Sequence, residues 1–290
     1  MYRNKQFHSL SVITRRDFLA GMSVLGAAGA VRGWGAPLPA AGIDHLNIHV
    51  PDVDRSAEFY AKLFGETVSR SPNAKAQTAN PDSPSGVLWF VGTGENNLAI
   101  SPTRPQQKPG LDHICFAIRG FRGLDMKSEL TGLNRQWPDS PPSQIWLKDP
   151  DGNIIQLNGG ADPSRVPGSG VGAVLVPPPG GVPRQPAFRA IRIVRVTMAV
   201  PSPASSADYY RKLLGDNAEK AQRGVFRVGP SELVLGPASG GESYRVSVAG
   251  FNPAAAVKTL QGLGVTAQAA PDGKAVSFRD PDGIHVEISA

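Results

Sequence analysis

Histidine is scarce in this 290-residue chain, with five in all, and three of them fall where alternation turns them to one side of a strand. Over residues 43–50, Leu46, Ile48 and Val50 alternate with His45, Asn47 and His49, the period-two pattern of a strand with an apolar back and a polar front. Residues 111–118 repeat it, with Ile114, Phe116 and Ile118 behind and His113, Cys115 and Ala117 in front. Imidazole exchanges a proton near neutral pH and is also a common metal ligand. His49 lies four residues from His45, about 13 Å along a strand, so the two cannot hold one ion. It is read as a general acid or base, or as a rim group touching substrate, with a solvated strand-end histidine as the alternative. Cys115, the single cysteine, precludes an internal disulfide. It reads as a small filler or a substrate contact sooner than as a thiolate ligand.

These strands belong to a pattern that occurs twice. Ile43-Asp44-His45-Leu46-Asn47-Ile48-His49-Val50-Pro51, then Phe59-Tyr60 and Leu63-Phe64-Gly65, returns as Ile193-Val194-Arg195-Val196-Thr197-Met198-Ala199-Val200-Pro201, then Tyr209-Tyr210 and Leu213-Leu214-Gly215. Each copy closes on the same turn, Asp149-Pro150-Asp151-Gly152 and Asp280-Pro281-Asp282-Gly283, with Pro and Gly where a tight turn wants them. A repeat of this size means two domains of one fold. In the first, Asp52 caps a helix that runs to Phe64 and stops at Gly65, with Tyr60 on its core face. Strands are expected near residues 87–91 and 98–101, a helix over 124–133, and a hairpin over 145–158. The polar stretch 70–86 reads as a loop.

The N-terminus reads as an address. Arg15-Arg16-Asp17-Phe18-Leu19 precedes a short apolar run rich in Gly and Ala, the layout of an export signal, and the paired arginines resemble a twin-arginine signal. Residues 1–36 are taken as this leader, cut near Ala30 or Ala36, with an uncleaved tether as the alternative. The run is shorter than the roughly 20 residues of a permanent span. The expected partner is therefore the twin-arginine export machinery, and the expected location periplasmic or secreted, with no stable membrane span after cleavage. Within residues 1–30, Arg3, Lys5, Arg15 and Arg16 against Asp17 supply +3 of the net +6. What remains shows no basic run or basic-aromatic stripe, which argues against nucleic acid. A Gly/Pro-rich linker over 159–188 separates a first domain, 42–158, from a second, 189–290; Ala173-Val174-Leu175-Val176 within it could dock as an edge strand.

Taken together, Asp44-His45-Leu46, Phe59-Tyr60 with Leu63-Phe64-Gly65, Leu111-Asp112-His113-Ile114 and Asp149-Pro150-Asp151-Gly152-Asn153-Ile154-Ile155-Gln156-Leu157 resemble the vicinal oxygen chelate superfamily. That superfamily includes glyoxalase I, bleomycin-resistance proteins and extradiol dioxygenases. The resemblance implies an α+β fold of tandem glyoxalase-like domains, each of two βαβββ modules curled into a half-open cup. It implies a divalent metal (Fe, Mn, Ni, Co or Zn) in the first cup, on His45, His113 and Gln156; Gln156 stands where a Glu is usual, a weaker and uncharged ligand. Asn47, Cys115 and Asn158 would line the substrate, and the fourth-strand position, Ala99, supplies no ligand. Two imidazoles lining a metal-free cup are the alternative.

The second domain has lost these residues. Arg195 replaces His45 and Ser243 replaces His113, while Glu287 keeps an acidic position. An arginine repels a cation, so a buried Arg195–Glu287 pair, a cup for an anion using Arg245 and His285, or a bare scaffold are the readings for this degenerate site. The function expected is an exported, divalent-metal-dependent enzyme acting on a small oxygen-rich substrate, by dioxygenase or glyoxalase-like lyase/isomerase chemistry; the alternative is a metal-free periplasmic binding or sequestering protein.

Overall fold

A computed structural model describes residues 37–65, 67–71, 88–126, 130, 144–160, 174–175, 177, 185–215 and 224–290, all within one unit, Ala36–Ala290. The leader, residues 72–86 of the expected 70–86 loop and most of the expected 124–133 helix lie outside the described residues. Of that helix the 3-10 turn Gly123–Met126 is described.

The first half begins with β1 (Ala40–Val50), α1 (Val53–Phe64), β2 (Val68–Ser71), β3 (Leu88–Thr93) and β4 (Asn96–Pro102). It continues with β5 (Gly110–Ile118), β6 (Ile145–Lys148), β7 (Ile154–Asn158) and β8 (Val174–Leu175). Together they make one eight-stranded sheet in the order β6-β7-β5-β1-β4-β3-β2-β8. One expectation shifts here: Arg70, assigned to a loop, lies in β2, which pairs with β3. Another holds: the linker's Val174 and Leu175 dock as an edge strand on β2.

The second half runs β9 (Ala190–Val200), α2 (Pro203–Leu214), β10 (Val225–Val228), β11 (Ser231–Pro237), β12 (Ser243–Val248), α3 (Pro253–Gly262), β13 (Ala267–Ala269), β14 (Ala275–Arg279) and β15 (His285–Ser289). Its seven strands form a second sheet, β10-β11-β9-β12-β15-β14-β13. Among the described residues the full βαβββ order is complete in the first and fourth modules. In both halves the sheet centre is the same: an antiparallel pair, β1–β5 or β9–β12, flanked by parallel neighbours.

The α1 boundaries follow from local chemistry. Asp52 accepts from Arg55 N at 3.0 Å and Gly65 N returns to Ala61 O at 3.0 Å, satisfying groups that a helix end leaves open. Its buried face, including Val53, Ala57, Tyr60 and Phe64, packs on β3 and β4. Leu46, Ile48, Leu98 and Ile100 close the same core without exposure, each side chain contributing about 1.5–3 kcal/mol. One core cluster runs through both halves. Two turn glycines let the halves approach. A Cβ on Gly94 (φ +79) would lie 2.0 Å from Ile191 O, and one on Gly229 (φ +61) would lie 1.8 Å from Ala41 O. Only glycine fits at such a backbone contact. Among the described residues, no helix is long and apolar enough to cross a membrane.

Candidate metal centre

The β1–β5 register shifts at three places, and two of these breaks matter to the site. Ile43 faces Phe116 and His45 faces Cys115, so Asp44 is an extra residue in β1; Asn47 faces His113 and Ile48 faces Leu111, so Asp112 is an extra residue in β5. A bulge re-aims a side chain that strict alternation would send to the other face. Asp44 Oδ1 thereby reaches His45 Nδ1 at 2.6 Å, and Asp112 Oδ2 reaches His113 Nδ1 at 2.6 Å. Each carboxylate accepts a hydrogen bond from its neighbour's Nδ1–H and leaves Nε2 as the atom with a lone pair.

The two Nε2 atoms meet at 3.3 Å. Lone pairs facing each other at this distance require a proton or a cation between them. Burial pushes the His113 imidazole below its ordinary value, with Asp112 only partly offsetting it, which disfavours the proton. Burial also opposes ionisation of Asp112, but hydrogen bonds from His113 and His49 outweigh it and hold the carboxyl well below the usual range. Gln156 on β7 is buried, sits opposite Cys115 in register, and is close enough to hydrogen-bond His113. The donor set of two imidazoles and an amide oxygen therefore fits a divalent transition metal.

Asp44, His45 and Cys115 also bring their ligand atoms within 4.8 Å of one another. This trio is the weaker ligand set. Asp44 Oδ1 is already shared by His45 and by Asn158 Nδ2 at 2.9 Å, and burial pushes the Cys115 thiol up, away from the thiolate.

Asn158, expected at the substrate, spends its amide on Asp44 and on Gly160 N at 2.9 Å, so it props the carboxylate. Asn47 lies on the shared face, opposite His113 and Ala99, and accepts from Ser101 Oγ at 2.8 Å. His49 is not a solvated strand end. It is buried, donates from Nε2 to Lys108 O at 2.8 Å, and places Nδ1 3.6 Å from Asp112 Oδ1. One carboxylate thus serves His113 and His49. The 13 Å spacing separated His49 from His45 and did not reveal the Asp112 carboxylate that joins it to His113.

Around the imidazoles stand further groups, of which the sequence singled out Ala99 alone. Trp146 meets the His113 ring edge-on, with centroids 4.7 Å apart. Leu88, Phe90 and Ala99 form a small apolar cluster separate from the main core, on the face that carries Asn47. Glu242 crosses from the second half to accept from Leu111 N at 3.2 Å, beside the Asp112 bulge. Burial raises its carboxyl, against the pull of Leu111 N–H and His49.

The second cup departs from expectation. Arg195 does not pair with Glu287: it bonds Glu232 at 2.7 Å, while Arg245 takes Glu287 at 2.7 Å. Neither pair is buried, with side chains 21–37% exposed. The register explains the exchange, because Glu232 lies directly opposite Arg195 and Glu287 opposite Arg245. Val194 occupies the bulge that Asp44 fills in the first half, so no carboxylate is delivered there.

The fold is a cup of the glyoxalase type, and comparison with known proteins agrees. Residues 42–124 match the model of the Glyoxalase/Bleomycin resistance protein/Dioxygenase superfamily. Metapyrocatechase 2 of Cupriavidus necator is 30% identical over 183 residues, covering 60% of this chain. The chain spans 52% of that protein's length. Uncharacterized protein PA2024 of Pseudomonas aeruginosa is 24% identical over 132 residues, 41% of this chain and 88% of its own. Among solved structures, the 2,3-dioxygenase LapB from Pseudomonas sp. KL28 superposes with a TM-score of 0.54 at 13% identity, covering 88% of this chain and 93% of that one. A Mn(II)-bound glyoxalase from Novosphingobium aromaticivorans gives 0.52 at 12%, covering 87% and 82%. The superfamily match covers residues 42–124, and the α+β fold of two glyoxalase-like domains is shared with these structures.

Proposed function

We propose that the first half is a divalent-metal-dependent enzyme that cleaves a small aromatic diol with dioxygen, in preference to glyoxalase-like lyase or isomerase chemistry. The observation that carries this reading is the 3.3 Å approach of His45 Nε2 to His113 Nε2, each imidazole with Nδ1 on its own aspartate. The similarity to a metapyrocatechase favours ring cleavage among the family's reactions. A metal-free binding protein is not favoured, because it leaves two lone pairs opposed in a buried site.

His45, His113 and Gln156 would hold the metal. When bound, the metal would chelate two oxygens of the substrate and offset the negative charge that develops on them. The chain's own residues do the rest. Asp44 and Asp112 fix both imidazole planes and keep Nε2 unprotonated. Leu88, Phe90 and Ala99 offer an apolar wall for a ring and exclude water from it. With Nε2 donated to Lys108 O, Nδ1 of His49, facing Gln107 and Asp112, is the ring atom left to exchange a proton. Asn47 and Cys115 line the same face.

Protein loaded anaerobically with Fe(II) and given catechol should take up dioxygen and form a ring-opened product in equal amounts. Uptake that is absent, or unchanged in His113→Ala, contradicts the assignment. We further propose export by the twin-arginine route: changing Arg15 and Arg16 to Lys should leave the protein in the cytoplasm, and undiminished periplasmic protein would exclude that route.

A further inference from the structure

The row of residues that crosses the first cup has a counterpart in the second, and the counterpart is charged. In the first half the row is Asn97, His45, Cys115 and Gln156 on β4, β1, β5 and β7, which carries no formal charge. In the second it is Arg227, Glu232, Arg195, Arg245 and Glu287 on β10, β11, β9, β12 and β15, each directly opposite the next. Signs alternate along the flanks. At the sheet centre they do not: Arg195 and Arg245 are immediate cross-strand neighbours. Like charges directly opposite one another weaken a sheet, so this juxtaposition costs the fold and calls for a counter-charge.

The two carboxylates of the row supply it only from outside. Arg195 presents Nε and Nη2 to Glu232 at 3.0 and 2.7 Å, and Arg245 presents Nε and Nη2 to Glu287, both at 2.7 Å. Nη1 of each arginine has no protein partner among the described residues. One step along the same strands, Ser243 faces Thr197 and His285, and these three side chains also make no hydrogen bond among the described residues. The face is reachable, with the Arg195 and Arg245 side chains 37% and 23% exposed. The opposite face of these strands carries Val196, Tyr244, Val246, Val286 and Ile288 into the core, so the polar row looks away from it.

We propose that this face of the second half is a binding site for a small molecule bearing an oxyanion, a carboxylate or a phosphate, held between the Nη1 groups of Arg195 and Arg245. Guanidinium forks suit planar or tetrahedral oxyanions, and the pairs with Glu232 and Glu287 fix both forks in place while leaving one edge of each open. Thr197, Ser243 and His285 supply donors and acceptors to the remainder of the ligand. The duplicated fold thus carries a cation cup in one half and an anion cup in the other. This site does not depend on metal in the first.

The test is calorimetric titration of the full chain with succinate and, separately, with inorganic phosphate, at ionic strength held constant with chloride. Saturable binding of either probe is expected, and the tighter one identifies the preferred oxyanion. Arg195→Met and Arg245→Met should each weaken it by about tenfold or more. Arg245→Lys, which keeps the charge beside Glu287 and disturbs folding less, should weaken it too because the fork is lost. His45→Ala should leave it unchanged. No saturable heat with either probe up to about 20 mM, or equal affinity in wild type and all three arginine variants, would overturn the proposal.

Discussion

Tyr60 in the first half donates its phenol to Asp280 Oδ2 in the second at 2.6 Å, and the bond is returned, Tyr210 donating to Asp149 Oδ2 at 3.0 Å. One helical turn before each tyrosine a serine meets the other aspartate of the same turn: Ser56 with Asp282 at 2.5 Å, and Ser206 with Asp151. The repeated Asp-Pro-Asp-Gly turns are therefore more than hairpin closures. Each one seats its carboxylates on the first helix of the opposite half, and the pair of contacts ties the duplicated domains together.

The two contacts differ in redundancy. Asp280 Oδ2 has Tyr60 as its hydrogen-bond partner, whereas Asp149 Oδ2 also accepts from Asn153 Nδ2 at 2.7 Å. Tyr60→Phe should cost about 1.5–3 kcal/mol, as expected for a bond to a charged group. Tyr210→Phe should cost less. Urea denaturation of both variants checks this, and equal losses would contradict it.

The Tyr60→Phe loss should depend on pH. Burial raises the Asp280 carboxyl above its ordinary value, and the Tyr60 bond works against that rise. A carboxyl raised on folding favours the fold at low pH, and that contribution is lost as pH climbs through the folded value. Removing the phenol raises it further, so the penalty should be largest near neutrality and shrink as the solution is acidified. Denaturation at several pH values measures it; a penalty that grows on acidification would refute the assignment of charge.

The orienting aspartates should act on affinity more than on fold. Asp44→Ala and Asp112→Ala should each weaken metal binding by about 10–100-fold, with Asp112→Asn, which still accepts from Nδ1, falling between. Titration with Mn(II) reads the effect directly. Wild-type affinity in both alanine variants would mean that the carboxylates do not position the imidazoles.

Much of this was legible in the sequence, and the gaps have physical causes. Period-two alternation placed His45, Asn47 and His113 on one face, and capping residues bounded α1 from Asp52 to Gly65. Alternation cannot show a bulge, so Asp44 and Asp112 were assigned to no site, although the repeated Asp-His pair was the available signal. Nor can one strand's sequence report its neighbour: Arg195 was matched with Glu287 because both stand at metal positions, while register gives it Glu232. Glu242 and the tyrosine–aspartate contacts depend on how two halves dock, which no local pattern encodes.

Metal content decides the central claim most directly. Protein purified, stripped and reconstituted anaerobically with Fe(II) or Mn(II) should hold about one ion per chain, as expected for a single cup. His45→Ala and His113→Ala should hold none while keeping the wild-type far-ultraviolet dichroism. Gln156→Glu should bind more tightly through a charged oxygen, and Arg195→Met should hold the wild-type amount. Absence of stoichiometric metal in the reconstituted wild type, or its retention in both histidine variants, would contradict the account.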